Sequence, residues 1–250
     1  MNSEDPSSRS RSGATAFALS SKARIQIMPV GVEGEQIIVI DDALQHPDEL
    51  IRFATTQRFD ETLNGLYPGP RAPLPLDYAE AVVARATPLI AQSWKLGPIR
   101  PAHVDCVYSI VTKAPKQLLP MQRHPHIDTS SPWHFAVLHF LCDAHFGGTA
   151  FFRHRTTGFE TITPDREAIW NAALEKEKPR RAALPVRYIA DDDPDFERIA
   201  TVGARRNRML IYRSNLLHSG VIPTDMPLVA DPLRGRLTAN IFIGYRPTSP

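Results

Sequence analysis

The 250-residue chain has no long hydrophobic run and almost no excess charge. No apolar stretch approaches the roughly 18 residues that a membrane-spanning helix needs, so we expect no membrane partner. The formal net charge is +2, from 29 basic and 27 acidic side chains, and the basic residues form no continuous stripe. This balance argues against a nucleic-acid partner.

Cysteine is also scarce, because Cys106 and Cys142 are the only two. They lack the clustered spacing of a structural zinc site, and we predict two buried thiols instead of a disulfide. The first 22 residues are rich in serine and arginine and show no signal-peptide pattern. We predict a disordered tail at residues 1–22, then a single domain at residues 23–250, in a cytoplasmic protein.

Proline, in contrast, is abundant, and its 23 residues are spread along the chain, which favours many short elements. The N-terminal third predicts two strands, at residues 25–30 and 35–41. It also predicts two helices, one beginning at Pro47 and one covering about 78–94. Residues 66–75 carry four prolines and are predicted to have no regular structure.

From residue 103 onwards, short runs of β-forming residues alternate with turn signals. One helix is predicted among them, with Thr163 as its cap and Pro164 at its first position. Eight strands are predicted, at residues 103–112, 124–129, 135–142, 148–155, 196–202, 208–213, 215–222 and 236–245. This order predicts an α+β fold that is mainly β: a double-stranded β-helix (jelly roll) with N-terminal helices packed on one sheet.

Possible metal ligands are concentrated in the segment QRHPHIDTSSPWH, residues 122–134. In an extended strand, residues two apart point to the same side, so His126 and Asp128 present an imidazole and a carboxylate together. A catalytic Fe(II) site needs a second imidazole on the same face. His218 is the candidate, because no histidine other than His218 follows His154 and the second and seventh strands of a jelly roll can lie close together.

The remaining histidines are less suitable as ligands. His124 could share the face of His126, but Pro125 between them interrupts the strand. His134 and His139 are expected to pack in or beside the next strand. We therefore predict that His126, Asp128 and His218 form the metal site.

The last predicted strand carries a second signal. Arg236, Thr238 and Asn240 alternate with apolar residues, so one face of the strand is polar. If that face points inward, the guanidinium and the hydroxyl can hold one carboxylate of a dicarboxylic cosubstrate. Arg234 is an alternative anchor, and Arg213, on another strand, is a weaker one.

Together these motifs resemble the iron- and 2-oxoglutarate-dependent dioxygenases, over about residues 103–245. The stretch HPHIDTSSPWHFAVLHFLCDAHFGGTAFFRHRTTGFE is most similar to the branch that contains the prolyl 4-hydroxylases. The loop YPGPRAPLP resembles an uncharacterised bacterial group of that superfamily. The resemblance implies a jelly-roll core, Fe(II) bound by His126, Asp128 and His218, and 2-oxoglutarate anchored by Arg236.

The chain departs from the family pattern at one point. The distal histidine and the basic residue lie closer together in the family than His218 and Arg236, which are 18 positions apart. The segment VIPTDMPLVADPLRG between them contains three prolines, and we interpret it as a longer loop.

Further contacts are predicted with the two substrates. Tyr108, with Ser109 beside it, is a candidate to bind the cosubstrate together with Thr238. Candidates for contact with the oxidised substrate are Trp133, Arg153, Tyr67 and Arg71, the last two because long loops often carry function.

We therefore expect a hydroxylase that acts on a peptide side chain, an amino acid or another small metabolite. Related halogenases have a small residue where Asp128 stands, so the aspartate favours oxygen insertion. A cupin-like metal enzyme that does not use 2-oxoglutarate is one alternative, and it would have no use for Arg236. A non-catalytic jelly-roll ligand-binding protein is the other, and the intact set of ligands argues against it.

Overall fold

A computed structural model of the chain describes residues 17–61 and 67–248. Within those ranges, three α-helices and three short 3-10 helices accompany ten strands, and the strand pairings are antiparallel. The α-helices are α1 (Pro47–Thr55), α2 (Leu76–Ser93) and α3 (Glu167–Ala182). The strands are β1 (Arg24–Val30), β2 (Glu35–Asp41), β3 (Arg71–Pro73), β4 (Ile99–Ile110), β5 (His134–Phe140), β6 (Gly148–His154), β7 (Phe196–Gly203), β8 (Arg208–Arg213), β9 (His218–Val221) and β10 (Leu237–Pro247). The predicted mainly β fold with antiparallel sheets is confirmed at this level.

The strands form two sheets. A major sheet has seven strands in the order β1-β2-β8-β5-β10-β4-β3, and a minor sheet has three in the order β7-β6-β9. The predicted strand at residues 124–129 is not a regular strand. Instead, His126 pairs with His218 in an isolated bridge, so this segment extends the minor sheet beyond β9 at a single residue pair.

Helices α1 and α2 cover one face of the major sheet. Strands present alternate residues to each face, so the odd-numbered residues of β5, β8 and β10 point toward these helices. This helix-side core includes Leu50, Tyr78, Val82, Phe135 and Ile241. Burial of each large apolar side chain in it contributes about 1.5–3 kcal/mol.

The other face of the major sheet lies against the minor sheet. The core between them, called here the inter-sheet core, includes Phe140, Leu210 and Tyr212 from the major sheet and Phe151 and Val202 from the minor sheet. A third cluster joins the outer face of the minor sheet to α3 and includes Phe152, Phe196 and Trp170. The layers are therefore α1 and α2, the major sheet, the minor sheet and α3.

The alternation predicted for the last strand is confirmed. Leu237, Ala239 and Ile241 enter the helix-side core. Thr238 and Asn240 consequently point to the opposite face, toward the minor sheet, and both are buried.

Two predicted elements differ from the structure. The proline-rich segment contains the short strand β3, in which Arg71 pairs with Ser109 of β4; an edge strand tolerates prolines because its outer side needs no hydrogen-bond donors. Helix α3 begins at Glu167, later than predicted. The Thr163 hydroxyl bonds to Asp165 and does not cap the helix.

The predicted tail, residues 1–22, lies mostly outside the described residues. In its last part, Phe17 is buried in the helix-side core and Leu19 forms an isolated bridge with Leu44. These contacts tie residues 17–19 to the domain. In the described part of the chain, no helix combines the length and hydrophobicity needed to cross a membrane.

Candidate metal centre

The three predicted ligands meet at one point. His126, Asp128 and His218 each offer one ligand atom, and these atoms all lie within 4.8 Å of one another. The His218 Nε2 atom is 3.8 Å from the Asp128 Oδ1 atom. The two histidine rings are tilted toward each other with centroids 4.5 Å apart.

Backbone hydrogen bonds hold the ligand segments together. The His126 amide donates to the His218 carbonyl at 2.9 Å, and the His218 amide donates to the His126 carbonyl at 3.0 Å. Two residues on, the Asp128 amide donates to the Ser214 carbonyl at 2.9 Å. The segment therefore stays extended from His126 to Asp128, and both side chains point to the same side, as predicted.

The ring of His218 is fixed in the orientation that metal binding requires. Its Nδ1 lies 2.8 Å from the Leu216 carbonyl oxygen, which can only accept, so Nδ1 carries the proton and the Nε2 lone pair is free. The Tyr212 ring packs edge-on against His218 with a centroid distance of 4.9 Å. Both contacts reduce the freedom of the imidazole.

The electrostatics keep the two imidazoles neutral. Desolvation lowers the pKa of His126 to about 3, and the nearby His218 acts in the same direction. Burial lowers the pKa of His218 to about 4. Burial raises the pKa of Asp128, against the opposing effects of His126, His134 and Ser214. Neutral imidazoles are the form that binds metal ions.

The donor set fits a divalent first-row transition metal. Two imidazole nitrogens and one carboxylate oxygen on one side form the arrangement that non-heme Fe(II) enzymes use. His218 is buried, whereas His126 and Asp128 retain accessible surface. The side of the centre formed by His126 and Asp128 is thus the one that ligands can reach.

Arg236 lies in the inter-sheet space and is held by the turn before β6. Its Nε donates to the Phe146 carbonyl at 3.0 Å, and its Nη2 donates to the Gly148 carbonyl at 2.8 Å. Glycine is required in this turn: Gly147 has a φ of +88°, and a Cβ atom on it would lie 2.0 Å from the Val221 carbonyl oxygen. Arg234, the alternative anchor, is exposed, whereas Arg236 is buried.

Polar side chains surround Thr238. The Asn240 amide donates to the Ser109 hydroxyl at 2.9 Å and to the Thr238 hydroxyl at 3.2 Å. Ser109 and Thr238 are opposite each other on β4 and β10. A small polar surface thus continues from Arg236 across two strands of the major sheet.

Tyr67 and Arg71 also reach this space. The Arg71 guanidinium lies over the Tyr67 ring, 4.9 Å from its centroid. Burial raises the pKa of Tyr67, and the charge of Arg236 and the neighbouring Thr238 partly offset this effect. Among the described residues, neither the Tyr67 hydroxyl nor the Arg71 Nε has a hydrogen-bond partner, although both atoms are buried.

Three predicted site residues lie elsewhere. Tyr108 points to the helix-side core, where its hydroxyl donates to the Leu50 carbonyl at 2.8 Å. Trp133 also packs against that core, on the far side of the sheet from the metal ligands. Arg153 is held by ion pairs with Glu160 and Glu197. Tyr108, Trp133 and Arg153 thus have partners outside the cluster of His126, Asp128 and His218.

His124 and Arg213, the other two candidates, also have structural contacts. The ring of His124 stacks on Phe196, and its Nδ1 lies 2.8 Å from the Pro125 carbonyl oxygen. The Arg213 guanidinium forms an ion pair with Glu35 at 2.8 Å. Neither belongs to the cluster of metal ligands.

Two residues that support the centre were not predicted. Ser214 is fully buried, and its hydroxyl lies beside the Asp128 carboxylate and 2.8 Å from His134 Nδ1. Tyr212 packs on His218. Alternate residues of β8 point to the helix-side core and to the inter-sheet core, and this alternation brings Tyr212 and Ser214 to the inter-sheet side. No local sequence motif marks either residue.

Comparisons with solved structures give low similarity to 2-oxoglutarate-dependent proteins. The non-heme alpha-ketoglutarate-dependent epimerase SnoN from nogalamycin biosynthesis has 14% identity and a TM-score of 0.43, covering 81% of this chain and 71% of SnoN. HygX from Streptomyces hygroscopicus, with nickel and 2-oxoglutarate bound, has 12% identity and a TM-score of 0.44, covering 85% and 83%. An N-substituted L-amino acid dioxygenase from Burkholderia ambifaria AMMD has 13% identity and a TM-score of 0.44, covering 90% and 98%.

At TM-scores below 0.5 these likenesses assign no function, and the chemistry has to be inferred from the residues of the centre. No curated protein matches the chain. A family model matches residues 21–243, which is most of the 250 residues. The chain therefore belongs to the family of unknown function DUF6445.

Proposed function

We propose that this protein is an Fe(II)- and 2-oxoglutarate-dependent oxygenase that hydroxylates its substrate. The observation that carries the proposal is the convergence of His126, Asp128 and His218, with the Nε2 lone pair of His218 left free by the bond from its Nδ1 to Leu216. The two facing sheets would then be the jelly-roll core of this enzyme class. The resemblance of residues 124–160 to the prolyl 4-hydroxylase branch supports hydroxylation as the reaction.

In this proposal each residue has a separate task. The three ligands hold the iron, and Arg236 and Thr238 bind the distal carboxylate of 2-oxoglutarate. When bound, Fe(II) would supply, with 2-oxoglutarate and molecular oxygen as cosubstrates, the chemistry that converts a C–H bond to C–OH: one oxygen atom of O2 enters the product, the other enters succinate, and carbon dioxide is released. The inter-sheet core, with Phe151 and Tyr212 packed around His218, excludes water from the buried side of the centre.

Arg236 suits a carboxylate because two of its nitrogens are already fixed. The bonds to the carbonyls of Phe146 and Gly148 hold the guanidinium in place before a ligand arrives. Such preorganisation reduces the entropy lost on binding. A charge-assisted hydrogen bond from the remaining nitrogen and one from Thr238 would complete the contact.

The test compares Arg236→Met with Arg234→Met, which removes an exposed arginine two residues away. Binding of 2-oxoglutarate to the metal-loaded protein is measured by calorimetry, and succinate release is measured after addition of Fe(II) and oxygen. We expect Arg236→Met to weaken 2-oxoglutarate binding by about 10- to 100-fold, because it removes hydrogen bonds to a charged group. Arg234→Met should behave as wild type.

If the wild-type protein binds Fe(II) but neither binds nor consumes 2-oxoglutarate, the proposal is wrong. A metal enzyme of the cupin type that needs no ketoacid then becomes the better explanation for the three ligands. Absence of Fe(II) binding would instead favour a non-catalytic ligand-binding protein.

A further inference from the structure

A groove of about 790 Å³ lies between α3 and the turn that follows β6, on the outside of the molecule. Its apolar lining includes Phe159 from the turn and Ala168, Ile169 and Ala172 from the helix. The side chain of Ile169 is large, yet the residue is 56% exposed. An apolar groove with an exposed isoleucine on its wall indicates an interaction surface.

The residues of α3 that border this groove form one stripe along the helix. Ile169, Ala172 and Lys176 are exposed and follow one another at steps of three and four positions, and Asp165 lies four positions before Ile169. The turn with Asp165 is already helical in its hydrogen bonding, because the Glu167 amide donates to the carbonyl four residues before it at 3.1 Å. Steps of three and four are the spacing with which two helices pack along each other.

The stripe matches itself in the antiparallel direction. A two-fold axis placed between residues 170 and 171 brings Ile169 of one copy opposite Ala172 of the other, because both residues are equally distant from the axis. Asp165 and Lys176 are also equally distant from it, so each carboxylate faces an ammonium group. The symmetry produces each of these contacts twice.

The charges at the two ends of the stripe are complementary. Asp165 and Lys176 are both exposed, and Lys176 has no ion-pair partner among the described residues. The Thr163 hydroxyl donates to the Asp165 carboxylate at 2.6 Å and so holds it in position. Antiparallel packing also brings the N-terminus of each helix beside the C-terminus of the other, which is favourable for the helix dipoles.

Small side chains permit close packing of two such helices. Ala168 and Ala172 lie on either side of Ile169 along the groove, and each has a side chain of one carbon. Helix axes can then lie about 8 Å apart, at the short end of the usual range. At that separation the Ile169 side chain of each copy enters the groove of the other and leaves water.

We propose that the protein forms a homodimer in which α3 and the turn before it pack antiparallel on the same segment of a second copy. Ile169 and Ala172 form the apolar centre of the interface, and Asp165 pairs with Lys176 of the other copy at each end. The interface lies on the outer side of the minor sheet, whereas His218 lies on its inner side. The dimer therefore covers neither candidate metal centre, and the inference does not depend on the proposed function.

The experiment measures the dissociation constant of the dimer by sedimentation velocity of the full chain over a concentration series. Three variants reverse the charges of the pair: Asp165→Lys, Lys176→Asp and the double variant. Ile169→Asp places a charge at the apolar centre. Its matched control is Leu76→Asp, which puts the same acid at another exposed apolar position, the first residue of α2, where the helix dipole favours a carboxylate.

We expect wild type and Leu76→Asp to dimerise equally and Ile169→Asp to be monomeric. Each single charge reversal should weaken the dimer by at least about 10-fold, because two attractive pairs become repulsive. The double variant should recover, since it restores opposite charges with the signs exchanged. An equimolar mixture of Asp165→Lys and Lys176→Asp should dimerise more tightly than either alone, because every pair across the mixed interface is then attractive.

A wild-type protein that stays monomeric over the whole concentration series would overturn the inference, and a different protein would then be the better candidate for the groove. A dimer that Ile169→Asp and the charge reversals leave intact uses another surface, which also overturns it. If both single reversals weaken the dimer but neither the mixture nor the double variant restores it, the two charges do not face each other and the antiparallel arrangement is wrong.

Discussion

The two faces of the major sheet differ in how their buried polar side chains are hydrogen-bonded. On the helix side, the Tyr78 hydroxyl bonds to His139 at 2.8 Å and His139 bonds to Asn207 at 3.2 Å. Asn207 completes the chain by accepting from the amide and donating to the carbonyl of Leu44. On the inter-sheet side, the Tyr67 hydroxyl and the Arg71 Nε have no partner among the described residues.

The helix side also contains an unpaired atom, the Nε of Arg213, whose guanidinium lies over the rings of Trp94 and Phe135. Satisfied polar chains add specificity to a core without the cost of desolvated, unpaired groups. Unpaired groups at Tyr67 and Arg71 lower stability unless a ligand bonds to them. The candidate ligands and Arg236 lie on the inter-sheet side, which is therefore the side on which we expect binding.

The largest effect should come from the binding side. His218→Ala removes one of three ligands, and we expect Fe(II) affinity to fall by more than about 100-fold, since loss of an outer partner alone costs 10- to 100-fold. The measurement is calorimetric titration with Fe(II) under anaerobic conditions.

The control for this variant is His124→Ala, which removes an imidazole two residues from His126 that stacks on Phe196 instead. It should keep wild-type affinity for Fe(II). Tight binding retained in His218→Ala, or lost in His124→Ala, would show that the ligand set is misassigned.

A smaller effect is expected on the helix side, and it appears as a dependence of stability on pH. Burial lowers the pKa of His139 to about 4, below the 6.5 of an exposed histidine. As the pH falls from about 6.5 to 4, His139 binds a proton in the unfolded chain but not in the folded protein. The free energy of unfolding therefore decreases. The full loss is about 3 kcal/mol for this residue.

The test compares urea unfolding of wild type and His139→Gln across that pH range. Glutamine keeps hydrogen-bonding capacity near Tyr78 and Asn207 but does not titrate. The variant should therefore lose less stability than wild type between pH 6.5 and 4, with the two curves parallel above pH 7. Curves that are parallel throughout would show that His139 is not the group responsible.

The alternation of residues along a strand explains why much of the fold was predictable. It also explains why Tyr108, predicted to face the cosubstrate, instead faces the helices. The polar face of β10 follows from the order of Arg236, Thr238 and Asn240, and the structure agrees. Tyr108 and Ser109 are adjacent on β4, so one must face the helices. The sequence offered no means to decide between them, and Ser109 is the one that points inward.

The cluster of His126, Asp128 and His218 was predictable because His126 and Asp128 are two residues apart and His218 is the one histidine after His154. The ion pairs of Arg153 with Glu160 and Glu197, in contrast, belong to no motif that the sequence shows. In the same way, Trp133 follows the ligand Asp128 closely in sequence but packs on the helix side. Only the three-dimensional path of the chain separates such residues from those that form the candidate centre.

The smallest predicted effect is on Fe(II) affinity, and it tests how Asp128 is held in place. The Ser214 hydroxyl lies between the Asp128 carboxylate and the Nδ1 of His134. Ser214→Ala removes this support without touching a ligand, and we expect Fe(II) affinity to fall by about tenfold, at the low end for outer partners of a metal site. Titration with Fe(II) measures the change.

The matched variant is Ser214→Thr, which keeps the hydroxyl and adds a methyl group. If the hydroxyl orients Asp128, Ser214→Thr should bind Fe(II) more tightly than Ser214→Ala, even though the methyl group is harder to accommodate at a fully buried position. If packing alone matters, the order is reversed, because alanine leaves only a small space. The order of the two affinities therefore distinguishes a hydrogen bond to the ligand from a simple filling of volume.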